Sequence, residues 1–188
     1  MVTRLLFVGF LALLGVQRLF ELRLSKRNER RIRQQGGREH TPETYRWIVS
    51  LHAAWFGAML LEVFAARRKF RPWLAALALG LFAAGQALRV NAIRALGWRW
   101  STRVMTVPGK APEQGGLYRY IRHPNYLGVD LESLSAPLVH SAFVTSATFG
   151  LANALLLRER IRREEQALEV DCGYAETFEN KPRFVPTK

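Results

Sequence analysis

A chain of 188 residues has room for one compact domain and little for a separate soluble module. Its 49% hydrophobic residues and formal charge of +13 leave two partners for the basic excess, nucleic acid and anionic lipid. The basic residues flank long apolar stretches instead of forming a recognition stripe, which favours membrane lipids over nucleic acid, while the single cysteine, Cys172, excludes a disulfide framework or an all-cysteine metal site.

Residues 5–24 form the first apolar run, long enough as a helix to cross a ~30 Å hydrocarbon core. No small-residue cleavage pattern follows, and Arg18 and Glu21 come directly, so a retained span is expected and not a removed signal peptide. Residues 23–46 are dense in arginine and broken by Gly36 and Gly37, which reads as a short basic helix and a surface loop. A second span is predicted over 47–66, then a basic turn at 67–71, and a third span opened by Pro72 and ending near Ala95. Residues 96–120 contain Pro108, Gly109, Pro112, Gly115 and Gly116 and read as an ordered loop. Residues 126–157 are apolar but too long for one crossing, and Pro137 and His140 near the middle predict a helical hairpin forming the fourth and fifth spans. From Arg158 the chain reads as a charged amphipathic helix followed by a tail with Tyr174, Phe178, Pro182 and Pro186. The expected architecture is therefore an all-α integral membrane protein of about five transmembrane helices, with a C-terminal amphipathic helix completing a pocket. It forms a single domain over 1–188, with N-terminal spans at 1–84 and a core at 85–188.

The loops at 23–46 and 94–122 and the tail from Arg158 hold most of the Lys and Arg, which orients that side to the cytosol; Arg4 and the Arg67, Arg68, Lys69, Arg71 cluster lie opposite. Near the cytosolic ends of the spans lie Arg18, Glu21, His52, Gln86, Arg89, Asp130 and Glu132. Ionisable groups in a span are costly and mark sites by default. Arg18 and Glu21, close to a helix end, read best as pairing or snorkelling. Arg89, Glu132 and His52 are candidate catalytic residues; Glu62, nearer the opposite side, is not.

Two stretches carry the chemistry. In Gly115-Gly116-Leu117-Tyr118-Arg119-Tyr120-Ile121-Arg122-His123-Pro124-Asn125-Tyr126, the glycines permit close backbone approach and Pro124 opens the next helix. Helix-start amides there can bind a carboxylate. In residues 158–168, at about 100° per residue, Leu157, Ile161, Glu164 and Leu168 share one face, so Glu164 points into an apolar stripe and Glu165 lies on its flank. A carboxylate so placed needs a partner, a ligand's ribose diol or ammonium on one reading, Arg160 or Arg163 on the other.

Together these stretches resemble the isoprenylcysteine carboxyl methyltransferase family and its relatives, the membrane phospholipid methyltransferases. Arg122-His123-Pro124-Asn125-Tyr126 looks like the family's RHPxY signature, and residues 160–168 with Glu164-Glu165, then Tyr174, Arg183 and Pro186, look like its C-terminal segment. Gly85-Gln86-Ala87-Leu88-Arg89 is similar to a family GExLR stretch, with Gln86 standing in place of the acid. The resemblance covers about residues 85–186 and implies transfer of a methyl group from S-adenosylmethionine (SAM) to a lipophilic acceptor. It implies cofactor contacts from Gly116, Leu117, Tyr118, Arg122, His123, Pro124, Asn125, Tyr126, Glu164 and Glu165, with Arg89 orienting the acceptor and His52 or Glu132 as a base where one is needed. The N-terminal half looks more like a bacterial subgroup, which implies a bacterial cytoplasmic membrane. A prenylcysteine-like carboxylate, an alkylpyrone or alkylresorcinol hydroxyl and a phospholipid amine stand as acceptors. The rival classes are an NADPH-dependent sterol-type reductase, for which no phosphate-binding glycine fingerprint is present, and a non-enzymatic adaptor, which would leave Arg89 and Glu164 without a ligand.

Overall fold

The structure is a computed structural model describing residues 1–178 and 181–184. Five long helices dominate: α1 (Val2–Gln34), α2 (Pro42–Ala65), α3 (Pro72–Leu96), α4 (Pro124–Leu138) and α5 (Phe143–Cys172), followed by a single-turn α6 (Tyr174–Phe178). Proline at the first turn starts α2, α3 and α4, where its missing N–H has no helical partner to lose. Gly173, at φ 62°, ends α5 in the left-handed conformation. The helical expectation holds apart from β1 (Arg38–His40) and β2 (Val104–Thr106), which pair antiparallel with Glu39 opposite Met105.

Two predicted boundaries are corrected. The basic segment after the first span is no separate helix but the continuation of α1 to Gln34. Its buried stripe runs on from Phe7, Leu11 and Leu14 to Ser25, Asn28 and Ile32, turning polar where the helix leaves the apolar layer and meets the loop after α3. There Asn28 Nδ2 donates to the Trp100 carbonyl at 2.8 Å, and the Thr102 amide donates to Ser25 Oγ at 2.9 Å. Likewise the charged segment from Arg158 belongs to the same helix as the apolar residues before it. The turn between α4 and α5 falls at 139–142, beside the expected Pro137 and His140.

Three helical stretches, Val2–Gln34, Tyr45–Ala65 and Pro72–Arg99, are long and apolar enough to cross a membrane. Leu13 (74% exposed), Leu61 (69%) and Trp73 (66%) point outward from them, the pattern of a lipid-facing surface. The main core packs Phe7, Leu11, Leu14, Trp55, Met59, Val63 and Ala78 against the turn at Ala136, Val139 and Ala142. This end also holds the second basic cluster. Arg4 lies over Phe64, Arg71 over Phe143, and Glu62 accepts from the Val144 and Thr145 amides at the start of α5 at 3.1 and 2.7 Å. Glu62 thus caps α5 from another helix, and it pairs with Arg68 at 2.6 Å. The polar loop, the β1–β2 ribbon and the charged end of α5 gather at the opposite end.

Helices α3 and α4 approach most closely where Gly85 faces Gly128. A Cβ on Gly128 would stand 2.7 Å from the Gly85 carbonyl oxygen and 2.7 Å from Arg89 Cγ. Backbone contact this tight needs glycine on both helices, and it seats Arg89 against α4.

Candidate active site

The start of α4 is built by its neighbours. The amides of Arg122 and His123 donate to the carbonyls of Pro182 and Arg183 at 3.0 and 3.1 Å, so the C-terminal tail runs alongside the loop entering α4. His123 Nε2 meets Glu165 Oε1 at 3.0 Å, and Arg183 grips the same carboxylate through Nη2 at 2.6 Å and Nε at 3.1 Å. Burial alone would raise the Glu165 carboxyl, but these hydrogen bonds outweigh it and hold its pKa down to about 2. Pro186, part of the closing motif, lies outside the described residues.

A first cleft of about 970 Å³, its open mouth included, lies between this loop, the ribbon and α5. Tyr118, Arg122, His123, Asn125, Tyr126 and Glu164 line it, together with Trp100 and Tyr174. Burial and then the Glu164 charge raise the Tyr118 phenol well above its usual value, so it stays a hydrogen-bond donor. Three buried polar atoms on its walls, Trp100 Nε1, Asn125 Oδ1 and Tyr174 Oη, have no hydrogen-bond partner among the described residues. Buried polar groups are almost always satisfied, so these atoms point to a ligand offering both donors and acceptors. The roof is clasped by Asp171, which accepts from Arg38 Nε at 3.1 Å and from Thr106, and contacts His40 Nε2 at 3.2 Å. With Arg38 as the main cause, its pKa falls to about 2.

A second cavity, of about 1030 Å³ with its open mouth, lies on the other side of Tyr126. Leu22, Ile48, Val49, Phe56, Val129 and Leu157 make it apolar, and Val49, 47% exposed, sits at its edge on the outer surface of α2. Its polar groups include Arg18, Glu21, His52, Arg89 and Arg160. The two cavities share a wall of Trp100, Ser101, Asn125 and Tyr126. Through that wall runs a hydrogen-bonded chain: Arg160 Nε donates to Tyr126 Oη at 2.8 Å, and the Tyr126 hydroxyl donates to Glu164.

Of the expected cofactor contacts, Gly116, Leu117, Pro124 and Glu165 stand outside the lining of the first cleft. Gly116, at φ 56°, packs against Asn91, whose Oδ1 accepts from the Leu117 amide at 3.0 Å, so both residues tie the loop to α3. Pro124 is the fully buried first residue of α4. Glu164 makes no ion pair among the described residues; Arg163 goes to Glu159 and Glu43. Among the expected catalytic residues, Arg89 pairs with Glu21 and stands 3.3 Å from Glu132, while Arg18 pairs with both Glu21 (2.6 Å) and Glu132. The four form a charge-balanced cluster, with Glu132 behind the cavity lining and Gln86 joined to Gln17 at 2.7 Å beside it. Asp130 accepts from Asn153 at 2.7 Å. His52 lines the second cavity, its Nδ1 bonded to the Ile48 carbonyl at 2.8 Å. Trp100, Ser101 and Arg160 were not singled out as site residues by sequence. The one available signal was Trp98 and Trp100 within a polar loop, where an aromatic needs a partner surface.

Three apolar helices of spanning length make this an integral membrane protein, and its bundle carries a polar cleft and an apolar cavity back to back. Residues 76–170 match the family model described as the isoprenylcysteine carboxyl methyltransferase (ICMT) family. The protein YpbQ of Bacillus subtilis is 34% identical over 164 residues, covering 87% of this chain and 97% of that protein. The protein-S-isoprenylcysteine O-methyltransferase of Schizosaccharomyces pombe is 30% identical over 112 residues, covering 58% of this chain and 47% of the yeast protein. The solved eukaryotic intramembrane Ras methyltransferase ICMT superposes with a TM-score of 0.58 at 20% identity, covering 79% of this chain and 54% of that one. The chain belongs to the isoprenylcysteine carboxyl methyltransferase family, a family of membrane methyltransferases. It spans nearly all of the Bacillus relative but about half the length of the yeast enzyme and of the solved methyltransferase.

Proposed function

We propose that the protein transfers a methyl group from SAM, bound in the first cleft, to a lipophilic oxygen acceptor held in the second cavity. The observation that carries this reading is the shared wall of Trp100, Asn125 and Tyr126, since direct group transfer requires two ligands to meet at one boundary. The cleft suits SAM chemically. Glu164 answers an ammonium or a ribose diol, the His123 and Asn125 region a carboxylate, and the unsatisfied Trp100, Asn125 and Tyr174 atoms the polar edges of adenine and ribose. When bound, SAM supplies an electrophilic methyl: the acceptor oxygen's new O–C bond forms as the C–S bond breaks and its electron pair stays on sulfur.

The protein's own part is alignment and exclusion of water. Tyr126, held from both sides by Arg160 and Glu164, keeps the boundary in register. An anionic acceptor needs no base. A hydroxyl acceptor does, and His52 fits that role: with Nδ1–H donating to Ile48, its Nε2 is left as the acceptor of a proton. Glu132, already neutralised by Arg18 and Arg89, serves as an anchor for Arg89 in this reading. The apolar cavity edge at Val49 supports lateral arrival of the acceptor from lipid, and the concentration of arginine at this end supports a cytosolic site in a bacterial cytoplasmic membrane. The α4 helix and the apolar part of α5 then complete five crossings as a hairpin.

Calorimetric titration of purified protein with S-adenosylhomocysteine (SAH) and with NADPH tests the reading. Binding of SAH alone, weakened by Glu164→Gln and by His123→Ala, is expected; NADPH binding, or SAH affinity unchanged in both variants, would overturn it. Incubation with methyl-labelled SAM and membrane lipid extract then identifies the acceptor.

A further inference from the structure

The outer face of α1 changes character once along its length. Over residues 2–20 it is apolar, with Leu5, Val16, Leu19 and Phe20 exposed, and this stretch makes about 28 Å of helix, close to the thickness of a hydrocarbon core. Beyond it the same face turns basic. At about 100° per residue Arg23, Lys26, Arg27 and Arg30 fall on one side, all exposed, opposite the buried Ser25, Asn28 and Ile32. None of the four makes an ion pair among the described residues. Glu29 turns away to Ser25 and Arg103, Glu21 to Arg18 and Arg89, and Glu39 takes Arg33 at 2.8 Å. Arg23 lies 5.9 Å over the ring of Phe20, itself 61% exposed, so the basic face starts where the apolar face ends. Neighbouring elements repeat the arrangement: Arg46 lies over Trp47 and Arg119 over Tyr120, both rings more than half exposed. Exposed aromatic rings with cations beside them mark the level at which hydrocarbon gives way to headgroups.

We infer that the face of α1 at Arg23, Lys26, Arg27 and Arg30 is a docking surface for the phosphodiesters of anionic phospholipids. Residues 23–30 rise about 10 Å, enough to pass through a headgroup layer of roughly 5–8 Å. Basic residues clustered directly past a spanning helix are held by the negative surface of a bilayer, and here no carboxylate on the same face opposes that attraction. The apolar face below them keeps this patch against lipid, which leaves a nucleic acid no clear approach to Arg23 and Lys26. Docked headgroups fix the depth of α1 in the bilayer. They thereby fix Arg18 and Glu21, which lie less than two turns deeper on the same helix and border the second cavity.

Lipid retention by the full chain tests this. Protein in neutral detergent is equilibrated with equal amounts of phosphatidylglycerol and phosphatidylcholine, and the phospholipid that stays with it through gel filtration is quantified. Phosphatidylglycerol is expected to be preferred at least about fivefold, the scale of one basic residue's attraction to an anionic surface. Replacing Arg23, Lys26, Arg27 and Arg30 together by Gln should remove most of the preference. Arg23→Lys, Arg27→Lys and Arg30→Lys together should keep it, because attraction at a surface follows charge. Arg67→Gln with Lys69→Gln, at the opposite end of the bundle, is the control and should also keep it. Equal retention of the two lipids by the wild-type protein, a preference surviving in the Gln set, or an equal loss in the control would overturn the inference. So would displacement of the lipid by inorganic phosphate or by a single-stranded oligonucleotide at the same concentration. Should the Gln set fail to fold, the wild-type protein decides: its preference should fall as salt rises from about 50 to about 500 mM, and a preference indifferent to salt would count against docking by charge.

Discussion

Replacing Gly128 by alanine adds one methyl group at the tightest helix crossing. The new Cβ would lie 2.7 Å from the Gly85 carbonyl oxygen, 2.7 Å from Arg89 Cγ and 3.3 Å from the Arg89 amide nitrogen, about 0.7 Å short of ordinary contact at the nearest two. The carbonyl is helix backbone and cannot swing away, so α3 and α4 must separate, at about 1–3 kcal/mol for overpacking. Alanine recovers up to about 1 kcal/mol of helix propensity, leaving a net destabilisation of up to about 2 kcal/mol. Gly57 is the control: it is also helical, but its Cβ meets nothing within 4 Å, so Gly57→Ala gains the propensity without a clash. Thermal unfolding in detergent, followed by tryptophan fluorescence, should therefore move in opposite directions for the two variants. In methyl transfer, Gly128→Ala should slow turnover by displacing Arg89, with SAH affinity little changed because Arg89 does not line the first cleft. Equal unfolding midpoints for Gly128→Ala and Gly57→Ala would refute the reasoning.

Three other outcomes follow from the same geometry. Glu132→Gln leaves Arg18 and Arg89 sharing one carboxylate, and the loss, about 3–5 kcal/mol for a broken buried pair, should appear as a lowered unfolding midpoint. Glu165 has its pKa depressed from 4.5 to about 2, so its stabilising contribution is complete above about pH 5 and fades as pH falls toward 2. Midpoints measured across that range should drop less steeply in Glu165→Gln, and identical slopes would discount the His123 and Arg183 bonds. Asp171→Ala frees Arg38, His40 and Thr106 from α5, and should weaken SAH binding several-fold and quicken proteolysis between residues 35 and 40; unchanged values in both would show that the clasp does not shape the cleft.

Much of this protein is written in local chemistry. Apolar runs of spanning length, prolines 42, 72 and 124 at helix starts, and the turn near Pro137 place the elements, because helix length and chain breaking depend on neighbours a few residues apart. The pairing expected of Arg18 and Glu21 was legible for the same reason: three residues apart on a helix, they face one another. His123 and Glu164 were marked by the company they keep in sequence, and they border one cleft.

What the linear pattern could not hold is which groups neutralise each other across helices. Arg89 with Glu132, Glu62 over the start of α5, and Asp171 under the ribbon are partnerships between residues tens of positions apart. Continuity was hidden as well, since a helix that leaves the apolar layer changes composition without changing fold, as α1 does at Ser25 and α5 beyond Leu157. Arg160 appears in the sequence as one more arginine in a basic run. Only the packing of α5 against Tyr126 removes it from water and joins it, through the Tyr126 hydroxyl, to Glu164. Burial is a property of the assembled bundle, and burial turns an ordinary surface charge into a specific one.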